Sequence, residues 1–218
     1  LVGIGKIGKS VLAHQLCIAA ASPAGGRWLD QPVPLCKCLY VNWEDPLSLT
    51  RARAVQQFLD KDLPPSYHAM QPPWGTSFNR FLRWLLGYIQ RHHIELVVID
   101  PLAIAAGWKD ERDNSETGPT VRNIQEIAVQ TGAAILVVHH ARKAPGENGI
   151  EVRGAGAIFN GIQGFCSFKR GPNNQFQFET LNKMPGEHGG DKTYYLRREP
   201  HTLTWHITSE MSADEPEG

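Results

Sequence analysis

Hydrophobic and polar positions predict strands and helices that alternate over most of the chain. Lys9 to Ala21 is a predicted helix, and Phe78 to His92 repeats apolar residues at helical spacing. Leu96 to Ile99 and Ala133 to Val138 are unbroken apolar runs, which are typical of strands buried on both faces of a parallel sheet. The alternation predicts a mostly parallel sheet flanked by helices.

The segments between these elements complete the predicted α/β order. Asp45 is a predicted helix cap and Pro46 the first residue of a helix that runs to about Leu59. Three further segments are predicted: a strand from Cys38 to Trp43, a polar loop from Ala103 to Gly118, and a helix from Thr120 to Gln130.

The pattern changes after about Gly149, where short apolar segments alternate with turns rich in Gly and Pro. We expect a C-terminal antiparallel β extension, within one domain of residues 1–208 whose first strand lacks its beginning. Residues 209–218 hold four acids and no base, which predicts a disordered acidic tail. The predicted strands of the extension are Phe165 to Phe168, Gln175 to Leu181, Thr193 to Leu196 and Leu203 to Ile207.

Composition narrows the functional classes. Lys and Arg number 22, as do Asp and Glu, so the net charge of zero excludes a globally basic nucleic-acid coat protein. No apolar run reaches the roughly 18–20 residues of a membrane helix. The four cysteines have no zinc-ligand spacing, and we expect reduced thiols in a cytoplasmic protein.

The first residues contain a complete phosphate-binding motif, G-x-x-x-x-G-K-[ST], from Gly3 to Ser10. Gly3, Gly5 and Gly8 let the backbone fold around an anion, and the following helix directs its positive end towards the phosphates. In this motif Lys9 reaches the β- and γ-phosphates and the Ser10 hydroxyl binds Mg²⁺. The expected cofactors are therefore ATP and Mg²⁺.

Acidic residues follow two of the predicted strands. Asp100 ends the apolar run about 90 residues after the phosphate motif, where a carboxylate can reach Mg²⁺. Glu44 follows the strand that comes next after the motif, and we predict that it orients or deprotonates the attacking water. Asp45 is the second candidate, although its place as a helix cap already accounts for it.

His139 and His140 end the next apolar strand. A polar group at that strand end is expected near the γ-phosphate, and we predict that one of the two histidines senses its presence. The alternative is a pair of partly buried histidines that hydrogen bond to the backbone.

Together these motifs resemble the RecA-like ATPases of the plasmid RepA-type replicative helicases, over roughly residues 1 to 207. The resemblance rests on the phosphate motif and on Glu44-Asp45-Pro46, Asp100-Pro101, His139-His140-x-x-Lys143 and Arg153-Gly154-Ala155-Gly156-Ala157.

The resemblance implies a RecA-type core that assembles as a ring, usually a homo-hexamer, with nucleotide between subunits. It implies that Arg53 packs against the adenine. In that family, the loops that correspond to about 105–119 and 141–154 touch single-stranded DNA in a central channel. In the first loop the charges of Lys109 and Arg112 are roughly cancelled by three neighbouring acids, so the sequence does not predict a DNA contact there. Arg142, Lys143 and Arg153 are the candidate phosphate contacts of the second loop.

The sequence departs from this family at the basic finger that acts across the subunit interface. The aligned position is Gln163, which is neutral, and Lys169, Arg170 and Lys183 are the nearby alternatives. Known trans-acting arginines contribute about 10³–10⁵ in rate, so a missing finger predicts slow hydrolysis.

The sequence therefore predicts an ATP-dependent, ring-forming, DNA-translocating ATPase, a replicative helicase of a mobile element. Three alternatives stay open: a nucleotide-gated DNA-binding or regulatory protein with little hydrolysis, a recombinase-type filament, and a small-molecule P-loop kinase. The kinase is disfavoured because no arginine-rich lid is visible in the sequence.

Overall fold

A computed structural model describes residues 1–59, 62–111, 113–140, 142–143, 150–151, 158, 160–171, 175–182 and 192–212. Its helices are α1 (Lys9–Ala21), α2 (Leu47–Phe58), α3 (Phe78–His92), α4 (Leu102–Ala106) and α5 (Asn114–Thr131). Its strands are β1 (Val2–Gly3), β2 (Gly26–Trp28), β3 (Gln31–Val33), β4 (Cys38–Asn42), β5 (Tyr67–Met70), β6 (Leu96–Asp100), β7 (Ala134–Val137), β8 (His139–His140), β9 (Arg142–Lys143), β10 (Ile150–Glu151), β11 (Gly164–Arg170), β12 (Phe176–Asn182), β13 (Lys192–Arg198) and β14 (Trp205–Ser212).

The main strands form two sheets that meet where β7 continues into β8. One sheet has the parallel order β5-β4-β6-β7, and the other has the order β14-β13-β12-β11-β1-β8. In the second sheet β1 is parallel to β8 and β11, and the strands from β11 to β14 are antiparallel. The predicted fold class, a mostly parallel sheet with an antiparallel C-terminal extension, is confirmed.

Two apolar cores cover the parallel sheet, one on each face. Successive side chains of β4 point into opposite cores. Tyr40 packs in the core that contains α1, and Leu39 packs in the core that contains α3 and α5. In β6, Val98 and Val97 separate in the same way. This alternation explains why both strands are apolar up to their last residues, Asn42 and Asp100.

The region between β6 and α5 differs from the predicted polar loop. Leu102–Ala106 forms α4, and α5 begins at Asn114 rather than near residue 120. The side chain of Asp113 caps α5 by accepting a hydrogen bond from the Ser115 amide at 2.7 Å. The cap and the burial of Thr117 hold the first turns of α5 although Pro119 lies inside the helix.

The C-terminal region also differs from the expectation. β14 continues to Ser212 and pairs with β13, so residues 209–212 of the predicted tail are in a strand. Residues 213–218 lie outside the described part. Among the described residues, no helix combines the length and the apolar character that a membrane crossing requires.

Candidate nucleotide-binding site

The loop between β1 and α1 has the close packing that its glycines predict. Gly8 has a φ of 102°, a left-handed conformation that L side chains rarely adopt. A Cβ at Gly8 would lie 2.7 Å from a ring carbon of Trp205, and a Cβ at Gly3 would lie 2.1 Å from the Phe168 carbonyl oxygen. At Gly5 a Cβ would meet nothing within 4 Å. Glycine is therefore required at Gly3 and Gly8 by packing, and at Gly8 also by the backbone conformation.

The ammonium group of Lys9 lies inside this loop. Only 3% of Lys9 is exposed, and its Nζ donates hydrogen bonds of 2.7 Å to the carbonyl oxygens of Gly3 and Ile4. Burial lowers the pKa of Lys9 to about 8, against the opposing charges of Asp100 and Glu44. A buried cation with two nearby carboxylates is suited to an anion that brings its own divalent cation.

Asp100 lies at the end of β6, paired in register with Asn42 of β4. It is 4% exposed, and the Tyr40 hydroxyl donates a hydrogen bond to its Oδ2 atom. Burial raises the pKa of Asp100, while hydrogen bonds from Tyr40 and Ser10 oppose that rise. The structure thus brings together the Ser10 hydroxyl and the Asp100 carboxylate, the pair of oxygen ligands predicted for Mg²⁺.

Glu44 lies just beyond β4 and is exposed. The amides of Glu44 and Asp45 each donate a 2.9 Å hydrogen bond to Oδ1 of the buried Asn42, which fixes the turn. The carboxylate of Glu44 raises the pKa of both Lys9 and His140, although burial leaves both values lowered. Glu44 follows the carboxyl end of β4, where Asn42 is paired with Asp100 at the end of β6.

Asp45 and Arg53 pair with each other. Arg53 Nη1 and Asp45 Oδ2 are 2.5 Å apart, with both side chains partly exposed. The prediction that Asp45 caps α2 is wrong, because Pro46 is the N-cap residue and the helix begins at Leu47. The ion pair, rather than a cap, accounts for Asp45, and Arg53 is on the helix that follows the Glu44 turn.

The two histidines have different surroundings. Nδ1 of His140 lies 3.2 Å from Nζ of Lys9, and burial, followed by the charge of Lys9, lowers the pKa of His140. His139 is 1% exposed, and its Nε2 atom lies 3.6 Å from the Glu111 carboxylate. The prediction left the choice between the two histidines open, and His140 is the one that lies against Lys9.

The remaining predicted residues are not gathered at this site in the described part of the chain. Lys169 pairs with Glu179 at 2.8 Å, and the guanidinium of Arg170 lies 5.5 Å from the centre of the Phe176 ring. Arg142 and Lys143 form β9, and their side chains are outside the description, as are Lys183 and Arg153 altogether. Their proposed cross-subunit and DNA contacts stay predictions.

Comparison with known proteins identifies the sequence family of this chain. Residues 1–146 match the sequence family described as an AAA domain. The chain belongs to this AAA domain family. A KaiC-like protein from the hyperthermophilic archaeon Pyrococcus horikoshii OT3 has a similar solved structure, with a TM-score of 0.68 over 95% of this chain and 87% of the other. The two sequences are 13% identical, so this match shows the fold alone. The comparison with curated proteins gave no match.

Family and fold together identify this AAA domain as a RecA-like P-loop ATPase, which is the coarser part of the resemblance seen in the sequence. P-loop ATPases bind ATP with Mg²⁺. The donor set fits both, since a buried ammonium, a helix N-terminus and the Ser10–Asp100 oxygen pair lie at one sheet edge.

Two residues of the AAA domain site were missed in the sequence. Tyr40 lies in a strand buried on both faces, so its position gave no sign that the hydroxyl reaches Asp100. Trp205 comes from β14 and packs against Gly8, while its backbone exchanges hydrogen bonds of 3.1 and 2.8 Å with the Gln15 side chain. Both contacts join residues far apart in sequence, which local patterns do not report.

Replacing Tyr40 by phenylalanine is expected to raise the Mg²⁺ concentration for half-maximal ATP turnover by about 10–100-fold, because an outer-shell partner of a metal ligand is removed. The measurement is ATP hydrolysis over a Mg²⁺ titration. Tyr67→Phe is the matched control, since the Tyr67 hydroxyl is hydrogen bonded to His14 and not to Asp100. An unchanged Mg²⁺ dependence in Tyr40→Phe would show that the hydroxyl does not orient Asp100.

Proposed function

We propose that this AAA domain is an ATP-dependent, ring-forming, DNA-translocating ATPase of the RepA-type replicative helicases, carried by a mobile element. The observation that supports ATP hydrolysis is the placement of Lys9, Asp100 and Glu44 at neighbouring strand ends, because Lys9 lies against His140 of β8 and Glu44 follows the β4 end that pairs with Asp100. The helicase assignment rests on the resemblance of the sequence motifs to that family.

In this proposal the amides of the loop from Gly3 to Ser10 bind the phosphates, and the Lys9 ammonium neutralises charge on the γ-phosphate as it is transferred. Lys9 leaves its two carbonyl partners to do so. Ser10 and Asp100 hold Mg²⁺, which, when bound, neutralises the charge of the phosphate oxygens.

The proposed water-activating group is Glu44. Its exposed carboxylate is free to reach a water molecule, while the Asn42 side chain keeps the turn in place. Glu44 accepts the proton of that water as its oxygen attacks the γ-phosphorus in line with the leaving oxygen. His140 contacts Lys9 and is the histidine proposed to respond when the γ-phosphate leaves.

The proposed partner is single-stranded DNA in the channel of a homo-hexamer, in a cytoplasmic setting. Arg142, Lys143 and Arg153 are the proposed phosphate contacts, and Arg53 the proposed contact of the adenine. Lys183, Lys169 and Arg170 are the candidates for the cation that acts on the neighbouring subunit's γ-phosphate.

A second candidate function is a nucleotide-gated DNA-binding or regulatory module that hydrolyses ATP slowly. Two observations favour it. Gln163 is neutral where the related helicases have a basic finger, and Lys169 is paired with Glu179 of its own chain. A recombinase-type filament is the other assembly that the same core allows.

Two measurements on one preparation separate these functions. Mass measurement with and without Mg²⁺ and ATP is expected to show a six-subunit species with nucleotide, and ATP hydrolysis is expected to rise on addition of single-stranded DNA. A closed ring without DNA-stimulated hydrolysis would favour the regulatory module. Extended polymers of open length, seen by electron microscopy with ATP, would favour the filament.

A further inference from the structure

Residues 63–94 contain no aspartate or glutamate, although they contain Arg80, Arg83 and Arg91. The neutral net charge of the whole chain conceals this local excess of positive charge. All three arginines lie on α3 and are exposed. Within the described part of the chain, none of the three forms an ion pair. The outer surface of α3 therefore carries uncompensated guanidinium groups.

A series of aromatic rings runs along the same helix. The ring centres of Phe81 and Trp84 are 5.9 Å apart, those of Trp84 and Tyr88 4.6 Å, and those of Tyr88 and His92 4.2 Å. The angles between successive ring planes are only 28°, 32° and 34°. The four rings thus form one series along the helix, in which Trp84 lies between Phe81 and Tyr88.

Two tryptophans of this region are exposed to solvent. Trp84 is 39% exposed, and Trp74, in the turn that leads into α3, is 93% exposed. An exposed indole ring offers a partner a flat apolar surface of known stacking geometry. We call Trp74, Arg80, Arg83, Trp84 and Arg91 the α3 face.

The α3 face is separate from the candidate nucleotide site. α3 packs in the core on one side of the parallel sheet, whereas α1, which follows the phosphate loop, packs in the core on the other side. A ligand of the α3 face would therefore meet neither Lys9 nor the loop around it.

We propose that the α3 face binds single-stranded nucleic acid. Guanidinium groups pair with phosphates through charge-assisted hydrogen bonds, and the exposed ring of Trp74 can stack on an unpaired base. An acidic protein segment would satisfy the arginines but would leave the exposed Trp74 ring without a stacking partner. A duplex would likewise offer phosphates, but its bases are already stacked on one another. A single strand offers phosphates to the arginines and unpaired bases to the exposed tryptophan.

The face adds a second contact, outside the channel loops, to the partner class named under the proposed function. It does not depend on ATP binding. The proposal and the ATPase assignment can therefore fail separately.

The test measures the affinity for a fluorescent oligothymidine over a series of NaCl concentrations. The variant Arg80→Gln/Arg83→Gln/Arg91→Gln is compared with a control that loses the same charge elsewhere, Arg51→Gln/Arg122→Gln/Arg197→Gln, at three exposed positions outside the face. Each phosphate contact on a single strand contributes about 0.7 to the salt slope, so the α3 variant is expected to lose about 2 from that slope. The control variant is expected to keep the slope of the native protein.

A second variant tests stacking. Trp74→Leu is expected to weaken oligothymidine binding roughly tenfold while leaving the binding of an abasic strand of equal length unchanged, because only the bases are stacked. Thermal unfolding of each variant checks that it is folded. Lys9→Ala is expected to leave the α3-dependent part of the binding intact, which separates this result from the fate of the nucleotide site.

Three outcomes would overturn the proposal. The first is an equal salt slope in the two triple variants. The second is that the α3 variant loses as much affinity for polyglutamate as for oligothymidine, which would assign the face to an acidic protein segment. The third is tighter binding of a duplex than of a single strand of the same length.

Discussion

Replacing Lys9 by alanine is expected to weaken the binding of ATP with Mg²⁺ by about 10²–10⁴-fold. Hydrogen bonds to charged groups contribute about 1.5–3 kcal/mol each, and Lys9 is expected to make two or more to the phosphates, so the loss is about 10²–10⁴ in affinity. Titration calorimetry measures it directly. Retention of native affinity in Lys9→Ala would remove the phosphate loop from the account.

The loss of ATP affinity is informative only if Lys9→Ala remains folded. The lowered pKa of Lys9 indicates that the variant is folded. Burial lowers this pKa from 10.5 to about 8 in the folded protein, so below pH 8 the folded state holds an ammonium group that the unfolded chain would solvate better. The buried ammonium group therefore lowers the free energy of unfolding by its full amount below pH 8. This destabilisation declines as the pH rises from 8 towards 10.5. At pH 7, Lys9→Ala is therefore expected to unfold at the native temperature or above it.

Replacing Glu44 by glutamine is expected to keep nucleotide binding and to lower the turnover of ATP by about 10²–10⁴, the range for a general base. Glutamine keeps the shape of the side chain but cannot accept the proton of the attacking water. Single-turnover hydrolysis and equilibrium binding, measured on the same protein, separate the two steps.

Asp45→Asn is the matched control because Asp45 is the neighbouring acid in the same turn. Its partner is Arg53, so its replacement is expected to change turnover by only a few-fold. Native turnover in Glu44→Gln together with a large loss in Asp45→Asn would transfer the catalytic role to Asp45.

The sequence predicted those elements that local patterns determine. The bounds of the helices Lys9–Ala21 and Phe78–His92 agree with the structure, since each helix repeats buried apolar residues over several turns. The motif residues Lys9 and Asp100 also come together, because the carboxyl ends of parallel strands share one edge.

The errors arose where tertiary contacts outweigh local signals. The predicted helix began only at Thr120, yet the Asp113 cap and the buried Thr117 hold the earlier turns of α5 in place. Asp45 resembles a helix cap in sequence, but its carboxylate pairs with Arg53 further along α2. The acidic composition of the last residues concealed a strand at 209–212 that β13 stabilises by pairing.

The contacts that organise the site could not be predicted at all. The Tyr40 hydroxyl reaches Asp100 across 60 residues of chain, and Trp205 reaches Gln15 across 190. Such pairs depend on the order of strands in the sheet, which the sequence of a single chain does not reveal. They also lie next to the phosphate loop, so the C-terminal extension is part of the nucleotide site.

The most direct test is a crystal structure of the Glu44→Gln protein with Mg²⁺ and ATP. We expect the triphosphate to lie in the loop from Gly3 to Ser10, with Lys9 Nζ within hydrogen-bonding distance of the γ-phosphate. We expect Mg²⁺ to lie between the Ser10 hydroxyl and the Asp100 carboxylate or its bound water. A nucleotide bound elsewhere, or a substituted side chain at position 44 that turns away from the γ-phosphate, would contradict the account.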